Sequence, residues 1–366
     1  MHKDQEYMSL ALNLAASAKG KTNPNPLVGA VIVKDDMIVG TGLHRKAGEP
    51  HAEVHAFRMA GEHAKGATLY VTLEPCSHYG KTPPCANLVK ESGVSRVVVA
   101  MQDPNPEVAG RGIQLLRDAG IEVEVGVLEK EAYTLNERFI HNMLTKRPFV
   151  ISKFAMTLDG KIATANGHSQ WITSEEARLH VHHLRDEIDA ILVGVGTVLK
   201  DNPSLTTRLP DREGKNPIRI VLDRSLRTPL DATIVDTKVA RTILVTGLAS
   251  DTTAFEAKGV EILRVPEQDG KLDLNLTLEK LYELGITDVL VEGGGKVNAS
   301  FLRANLIDKY FAYIAPKILG GAHSVTPFTG MDVETIDLAQ NLSFSSVTQI
   351  GPDLLITAYP NEGAIK

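Results

Sequence analysis

The sequence contains very little cysteine and no long stretch of one character. Only two of its 366 residues are cysteine, one is tryptophan, and the formal net charge is −6. No apolar run approaches the roughly 20 residues that a transmembrane helix requires, and Lys and Arg never form runs longer than a pair. A membrane span and a nucleic acid held by bulk electrostatics are therefore disfavoured, although local cations can still bind a small anionic ligand.

The N-terminal segment "MSLALNLAASAKG" has the apolar run and the small-residue ending of a signal peptide. However, Asp4 and Glu6 precede the run, and Asn13 interrupts it. The apolar residues recur at helical spacing, which predicts an amphipathic helix over residues 4–19. We therefore expect a cytoplasmic protein, and in that reducing compartment a structural disulfide is uncommon.

The length of the chain favours two domains rather than one. In "LTKRPFV" a Pro follows a Lys-Arg pair and a new apolar strand begins, which predicts a boundary at residues 146/147. Residues 1–146 open with a helix and a hairpin that turns at Asp35-Asp36. Apolar strands then alternate with helices near 52–64 and 84–92, which predicts an α/β sandwich with a largely parallel sheet. Residues 147–366 alternate again and predict a second α/β domain, with helices near 174–187, 276–284 and 296–304.

Both cysteines lie close in sequence to a histidine and an acidic residue. The segments are "HAEVHAF" (51–57) and "EPCSHYGKTPPC" (74–85). Two thiolates and one imidazole, from Cys76, Cys85 and His51, would leave the fourth tetrahedral position of a zinc ion open for water. Zinc lowers the pKa of such a water toward about 7, and a nearby carboxylate, Glu53, could then carry its proton to a leaving nitrogen. His51 and Glu53 converge only if His51 stands at the start of a helix, and Pro50 suits that position.

Other interpretations of these residues remain open at this point. The two cysteines could form a disulfide, or they could be buried thiols beside a histidine that has other partners. His51 and His55 have the spacing of the H-E-x-x-H metal pair, but Ala52 occupies the place of its glutamate. Each fragment alone is a weak signal, and the fragments together, in this order, favour a catalytic metal centre.

The pattern H-A-E, P-C and a second cysteine resembles the zinc-dependent cytidine and nucleobase deaminases. Most of those proteins have P-C-x-x-C, whereas eight residues separate the two cysteines here. That longer spacing, with "NPLVGAV" upstream and "MQDPNPEVAGRG" downstream, resembles the RibD (RibG) family of bifunctional riboflavin-biosynthesis enzymes. The resemblance covers nearly the whole chain.

The resemblance implies a cytidine-deaminase-like, three-layer α/β/α domain at the N-terminus. Its expected reaction is hydrolysis of 2,5-diamino-6-ribosylamino-4(3H)-pyrimidinone 5′-phosphate to the corresponding uracil, with release of ammonia. His51, Cys76 and Cys85 would then bind zinc, and Glu53 would transfer protons. A phosphorylated substrate also needs cations and amides, and the candidate residues around the site are Asn25, His44, His78, Lys81, Asp103 and Asn105.

Two glycine turns follow apolar strands in the second half of the chain. They lie in "LVGVGTVLKDNPSLTTR" (192–208) and in "VLVEGGGKVNASFL" (289–302), and only the second is predicted to enter a helix. Glycine lets backbone N–H groups approach a phosphate. Neither turn has the G-x-G-x-x-G spacing of a Rossmann dinucleotide site. A dinucleotide site and two ordinary tight turns both remain open on this pattern.

The segments "SKFAMTLDGKIAT" (152–164) and "SQWITS" (169–174) resemble the reductase domain of the same family. The resemblance implies a dihydrofolate-reductase-like α/β fold that uses NADPH to reduce the ribosyl group to ribityl. It places the cofactor at Ala155, Trp171, Thr197, Asp201, Gly294, Gly295, Lys296, Val297, Asn298, Ala299 and Ser300. It places the substrate at Ser169, Arg185, Leu205, Arg208 and Glu292, with Lys153 and Asp159 to orient it.

The choice of NADPH over NADH rests on the resemblance, and Arg224 is a candidate partner for a 2′-phosphate. A second hypothesis is a nucleoside or RNA deaminase with a C-terminal nucleotide-binding module, which the acidic net charge disfavours for RNA. A third is a regulatory or scaffold protein with structural zinc, which would normally have four protein ligands. We expect a phosphorylated pyrimidine as substrate, no nucleic-acid or membrane partner, and a homo-oligomer, either dimer or tetramer.

Overall fold

The computed structural model describes residues 2–77, 83–105, 109–248, 251–330 and 333–361. The chain divides into two compact units, Met1–Lys146 and Arg147–Lys366. In the described residues, no helix has the length and apolar character needed to cross a membrane.

The first unit is a five-stranded sheet between two layers of helices. Its strands are β1 (Gly29–Lys34), β2 (Met37–Leu43), β3 (Thr68–Leu73), β4 (Arg96–Met101) and β5 (Glu122–Val125). Its helices are α1 (His2–Ala16), α2 (Ala52–Ala60), α3 (Cys85–Glu91), α4 (Arg111–Asp118), α5 (Glu129–Leu135) and α6 (Glu137–Thr145). The buried apolar residues form one cluster on each face of the sheet, as expected for a three-layer α/β/α domain.

The strand order β2-β1-β3-β4-β5 corrects one expectation about this sheet. Only β3–β4 and β4–β5 are parallel, whereas β1 pairs antiparallel with both β2 and β3. The hairpin turn lies where predicted: Asp35 and Asp36 have φ of 49° and 61°, as a two-residue type I′ turn requires. The helix predicted to run to residue 64 ends at Ala60, since Gly61 has φ of 53° and a short 3₁₀ turn follows.

The second unit is built on a nine-stranded sheet. Its strands are β6 (Phe149–Thr157), β7 (Ala190–Gly194), β8 (Ile218–Leu222), β9 (Thr242–Thr246), β10 (Glu261–Arg264), β13 (Asp288–Val291), β14 (Lys309–Ala315), β15 (Leu342–Ile350) and β16 (Asp353–Pro360). A separate hairpin consists of β11 (Glu267–Gln268) and β12 (Lys271–Leu272). The helices are α7 (Glu175–Glu187), α8 (Val195–Asp201), α9 (Thr253–Glu256), α10 (Leu274–Glu283) and α11 (Gly295–Arg303).

The strand order is β10-β9-β8-β7-β13-β6-β14-β16-β15. All pairs from β10 to β14 are parallel, so their carboxyl ends lie along one edge of the sheet. The adjacent strands β7 and β13 each end in one of the glycine turns. Ligands of open parallel sheets bind at this edge, and the fold therefore brings both turns to one place.

Among the described helices and strands, the prediction did not include α5, α6, α8, α9, β11, β12, β15 and β16. In β15 the pairing register shifts between Phe344 and Ser346, which marks a bulge. A bulge breaks the alternation of apolar and polar residues that identifies a strand, and β15 is exposed along nearly its whole length.

The packing of α1 on β1 predicts that Gly29→Ala destabilises the first unit. A Cβ at position 29 would lie 2.0 Å from the carbonyl oxygen of Ala11 and 3.1 Å from the amide nitrogen of Ala15. Overpacking against backbone costs about 1–3 kcal/mol. We therefore expect the denaturant concentration at which the first unit is half unfolded to fall. Gly196→Ala is the control in the second unit, because its Cβ would meet nothing within 4 Å. Equal transitions for the Gly29→Ala variant and the original protein would contradict this packing.

Candidate active sites

The structure brings His51, Cys76 and Cys85 together in the first unit. Their candidate ligand atoms all lie within 4.8 Å of one another, and this is the group of potential metal ligands that the described residues contain. His51 Nδ1 is 3.2 Å from Cys85 Sγ and 3.7 Å from Cys76 Sγ. Ligands on adjacent tetrahedral positions of zinc are separated by about 3.6 Å, so this donor set fits zinc. Both cysteines are free thiols, which excludes the disulfide.

Three chain turns hold these ligands. His51 has extended backbone angles and directly precedes α2, so its side chain escapes the helical spacing that would separate it from Glu53. Cys76 follows β3, and Cys85 is the first residue of α3. The Cys85 N–H donates to Cys76 Sγ at 3.2 Å, which holds the two sulfurs side by side. His55, the alternative metal partner, does not belong to this group.

Glu53 is buried next to the cluster, with an exposed fraction of 3%. Burial, together with the neighbouring Cys76 sulfur, raises the pKa of its carboxyl group above the ordinary value. The Cys85 thiol and the His51 ring hold the pKa of Cys76 below its usual range. A carboxyl with a raised pKa can accept and return a proton near neutral pH, and a thiolate is the form of cysteine that binds zinc.

Two of the predicted substrate residues, Asn25 and His44, adjoin the cluster. The His44 ring lies edge-on to that of His51, with 5.6 Å between the centroids. His44 Nδ1 donates to the Pro50 carbonyl at 3.2 Å, and its Nε2 therefore accepts from Asn25 Nδ2 at 3.1 Å. Burial lowers the pKa of His44, in agreement with this neutral form. Predicted residues His78 and Lys81 lie outside the described residues.

The buried Glu74 is a residue that the sequence motifs did not single out. Its carboxylate accepts hydrogen bonds from the N–H groups of Asp103, Gly110, Gly112 and Ile113. Asp103 and Asn105 were predicted to face the substrate, and Asp103 Oδ1 accepts from the Asn105 N–H at 2.8 Å. The only sequence signal for Glu74 was its place directly after a buried strand. A buried carboxylate there needs hydrogen-bond donors or cations as partners.

A cavity of about 1130 Å³ lies at the carboxyl edge of the parallel strands in the second unit. Both glycine turns line it, and Cβ atoms built on Gly194 and Gly293 would each meet Val297 within 2.7 Å. The first turn opens the helix α8, although a helix was predicted only after the second. The predicted cofactor and substrate residues that line the cavity are Lys153, Ala155, Ser169, Thr197, Asp201, Glu292, Gly294, Gly295, Lys296, Val297 and Ser300.

Several cationic side chains also line this cavity. Arg224 was predicted from the sequence, whereas Arg227 and Lys271 were not. Arg224, Arg227 and Lys271 come from the segment after β8 and from the hairpin β11–β12. Arg224 also pairs with Glu267 at 3.2 Å. Together with Lys200, Lys296 and Arg303 these side chains make the wall cationic, which suits a ligand with several phosphates.

Glu292 anchors a charged cluster at the same edge of the sheet. Arg185 holds its carboxylate with two bonds of 2.9 Å, and Lys153 Nζ lies 3.4 Å away. Burial alone would raise the pKa of Glu292, but Arg185 and Lys153 hold it at about 2. Glu292 is therefore ionised near neutral pH, and its carboxylate holds Arg185 and Lys153 in place.

Arg208 adjoins this cluster through the segment that follows α8. Its guanidinium donates to Thr206 Oγ1 at 3.2 Å, and Arg185 donates to the Thr206 carbonyl at 3.1 Å. The Arg208 N–H donates to His182 Nδ1 at 3.3 Å, and burial, with the two arginines, lowers the pKa of His182 to about 4. Leu205 is buried with φ of 53°. These residues place three cations around one carboxylate, a surplus of positive charge suited to an anionic substrate.

Several predicted residues do not line the cavity. Asn298 and Ala299 are buried, and Asn298 Nδ2 donates to the Pro327 carbonyl at 3.0 Å. Trp171 is 62% exposed, with the Arg178 guanidinium 4.6 Å from its ring centroid; it is therefore not a core residue either. Asp159 accepts from the N–H groups of Leu319 and Gly320, a role in holding a loop.

Comparison with known proteins identifies the family of each half of the chain. Residues 1–101 match the protein family described as the cytidine and deoxycytidylate deaminase zinc-binding region. Residues 148–356 match the family described as the RibD C-terminal domain. The chain belongs to the RibD family.

Individual relatives match over nearly the whole chain. The RibD protein of Bacillus amyloliquefaciens is 47% identical, over 98% of this chain and 97% of its own length. That of Escherichia coli K12 is 44% identical, over 97% and 98%. The solved structure of Acinetobacter baumannii RibD is 40% identical, covers 99% of both chains and superposes with a TM-score of 0.88.

A solved Thermotoga maritima structure is 41% identical, covers 98% of this chain and 99% of its own, and has a TM-score of 0.86. That protein is described as a diaminohydroxyphosphoribosylaminopyrimidine deaminase and 5-amino-6-(5-phosphoribosylamino)uracil reductase. The chain is thus a bifunctional deaminase and reductase of riboflavin biosynthesis, with zinc and NADPH as cofactors. Because the C-terminal unit is a reductase domain, the hypothesis of a nucleoside or RNA deaminase is not favoured.

The geometry of the three candidate ligands predicts that Cys85→Ser loses zinc. A serine hydroxyl does not ionise near neutral pH and is a poor zinc ligand, so we expect zinc to fall from about one ion per chain to a small fraction of that. Elemental analysis of the purified protein measures this. Lys90→Ala, an exposed change on the same helix, should retain zinc. Full zinc occupancy in the Cys85→Ser variant would contradict the assignment.

Proposed function

We propose that residues 1–146 catalyse the deamination and residues 147–366 the reduction, on successive forms of one ribosyl-phosphate. The first substrate is 2,5-diamino-6-ribosylamino-4(3H)-pyrimidinone 5′-phosphate, and the second is 5-amino-6-(5-phosphoribosylamino)uracil. The observation that carries the proposal is the buried Glu53 beside His51, Cys76 and Cys85. A structural zinc site would need no such carboxylate.

In the deaminase half, His51, Cys76 and Cys85 would hold the zinc ion. Zinc, when bound, acts as a Lewis acid that makes hydroxide available near neutral pH. Glu53 accepts the proton of the attacking water and delivers it to the amino nitrogen of the pyrimidine. A carbon–oxygen bond forms, the carbon–nitrogen bond breaks, and ammonia leaves. The raised pKa of Glu53 suits it to both transfers.

Substrate binding in this half is assigned to Asn25, His44, Lys81 and Asn105. The His44–Asn25 hydrogen bond is within reach of the zinc ligands, since the His44 and His51 rings are in contact. Asn105 belongs to the segment that Asp103 organises. Amide and imidazole groups of this kind orient a heterocycle and its ribosyl-phosphate by hydrogen bonds rather than by bulk charge.

In the reductase half, bound NADPH would supply a hydride to C1′ of the opened sugar, and a proton from water would complete the reduction. We assign cofactor binding to Ala155, Trp171, Thr197, Asp201 and the stretch Gly294 to Ser300. Of these residues, Trp171, Asn298 and Ala299 do not line the cavity, and Asn298 and Ala299 are buried. Arg224 is assigned to the 2′-phosphate.

The substrate of the reductase would lie near Ser169, Lys153, Arg185, Leu205, Arg208 and Glu292. Glu292 holds Arg185 and Lys153 in place. The Arg208 guanidinium donates to the neutral hydroxyl of Thr206. A phosphate that accepts hydrogen bonds from these fork-like guanidinium groups would balance the surplus positive charge. Positioning of the sugar against the nicotinamide, with water excluded, then accounts for the required chemistry.

We further propose a cytoplasmic homo-oligomer, either dimer or tetramer. The free thiols of Cys76 and Cys85 suit a reducing compartment. The strand β15 is an edge of the sheet with exposed apolar side chains, including Phe344 at 69% and Val347 at 57%. An uncovered apolar edge strand favours pairing with another chain.

The function is tested by incubating the zinc-loaded protein with the diaminopyrimidine ribosyl-phosphate. We expect ammonia release without NADPH, and NADPH oxidation only after deamination. Glu53→Gln should retain zinc and slow ammonia release by roughly 10²–10⁴-fold, yet reduce the deaminated compound at the normal rate. No ammonia from the original protein would refute the function, and a normal rate in the Glu53→Gln variant would refute the proton-transfer role.

A second prediction concerns the substrate-binding cations of the reductase. Arg208→Ala should raise KM for the deaminated substrate roughly 10-fold or more, because a charge-assisted hydrogen bond contributes about 1.5–3 kcal/mol. Deamination should be unchanged. Arg212→Ala removes an exposed arginine that pairs with Asp186 and should alter neither activity. Loss of deamination rather than reduction in the Arg208→Ala variant would overturn the assignment of the two halves.

A further inference from the structure

Glu74 makes a set of contacts that no residue motif accounts for. Its side chain is 5% exposed, and its two oxygens accept four backbone N–H groups at 2.8–3.2 Å. Oε2 binds Asp103 and Gly110, while Oε1 binds Gly112 and Ile113. A carboxylate bound in this way fixes backbone at both ends of a loop with charge-assisted bonds.

The position of Glu74 connects two parts of the deaminase site. It lies two residues before Cys76, just after β3, and its own N–H donates to the Met101 carbonyl at the end of β4. Because β3 and β4 are adjacent and parallel, their carboxyl ends lie at the same edge of the sheet. The segment held by Glu74, residues 103–105 and 109–113, therefore leaves the sheet beside the metal ligands.

The segment held by Glu74 also packs closely against the chain next to Glu74. A Cβ on Gly112 would lie 2.1 Å from the Pro75 carbonyl oxygen, so the start of α4 rests directly on the residue between Glu74 and Cys76. Hydrogen bonds extend from Asp103 along the chain. The Asp103 carboxylate accepts from the Asn105 N–H, and the Asn105 carbonyl accepts from the Ala109 N–H at 2.8 Å. The chain of contacts thus runs from Glu74 to Asn105.

We propose that Glu74 is a positioning residue for deamination: it holds the 103–105 segment so that Asn105 meets the substrate beside the zinc ligands. This inference rests on the proposed function of the first unit. Glu74 itself touches neither zinc nor substrate. Its effect is on substrate binding, and the ligands His51, Cys76 and Cys85 keep their places without it.

The test uses the full-length, zinc-loaded enzyme and the variant Glu74→Gln. The amide keeps the shape of the side chain but turns an NH₂ group toward two of the N–H donors and removes the charge. We expect KM for the diaminopyrimidine ribosyl-phosphate to rise about tenfold with kcat changed less than about twofold. Zinc content, the thiolate-to-cobalt absorption of the Co²⁺-substituted protein and NADPH-dependent reduction of the deaminated compound should be unchanged.

Glu62→Gln is the matched control, since Glu62 is exposed in the same unit, and its kinetics should equal those of the original protein. An unchanged KM in the Glu74→Gln variant overturns the proposal. So does a joint loss of zinc, cobalt spectrum and kcat, which would show a structural role. If the original protein does not deaminate the compound, the proposed function fails instead, and the two failures are thereby distinguished.

If the Glu74→Gln variant does not fold, Asp103→Ala and Asp103→Asn address the same segment with all four Glu74 bonds in place. Alanine removes the acceptor for the Asn105 N–H, and asparagine keeps one. A raised KM in the Asp103→Ala variant that Asp103→Asn restores supports the proposal. An unchanged KM in both variants overturns it, because the held segment would then not matter to the substrate.

Discussion

A carboxylate inside a protein must be neutralised by protons, N–H groups or cations, and this constraint organises both active sites. Glu53 and Glu74 are buried, and the side chain of Glu292 is only 10% exposed. Glu53 lies beside a sulfur, and the pKa of its carboxyl group is raised. Glu74 is neutralised by four backbone N–H groups, and Glu292 by Arg185 and Lys153. The same functional group thereby has a raised pKa in Glu53, anchors backbone in Glu74 and is a fixed counter-charge in Glu292.

The sequence was most informative where function depends on local order. Pro50 predicted that His51 starts a helix, and the structure places His51 in extended backbone directly before α2. The glycine turns after two apolar strands left a dinucleotide site open, and those strands are neighbours in the sheet. These features depend on a few adjacent residues, so backbone preferences alone indicate them.

Features that depend on distant contacts were not predictable in this way. Glu292 and Arg185 are 107 positions apart, and Glu74 binds residues up to 39 positions away. Within the stretch from Gly294 to Ser300, the direction of each side chain depends on how α11 packs, so Asn298 turned out to bind the Pro327 carbonyl rather than face the cavity. The antiparallel β1–β3 pair depends on sheet order, which alternation of helices and strands does not determine.

The two sites differ in the sign of the charge that they gather. The deaminase site places two sulfurs near one carboxyl group, an arrangement that is stable when a divalent cation or protons balance it. The reductase site places Lys153, Arg185 and Arg208 around one carboxylate and therefore carries surplus positive charge for an anion. A ribosyl-phosphate pyrimidine offers both a neutral ring and an anionic group, the two kinds of partner that these sites suit. The two sites thus differ in local charge: one gathers sulfurs that a cation can balance, and the other gathers cations that an anion can balance.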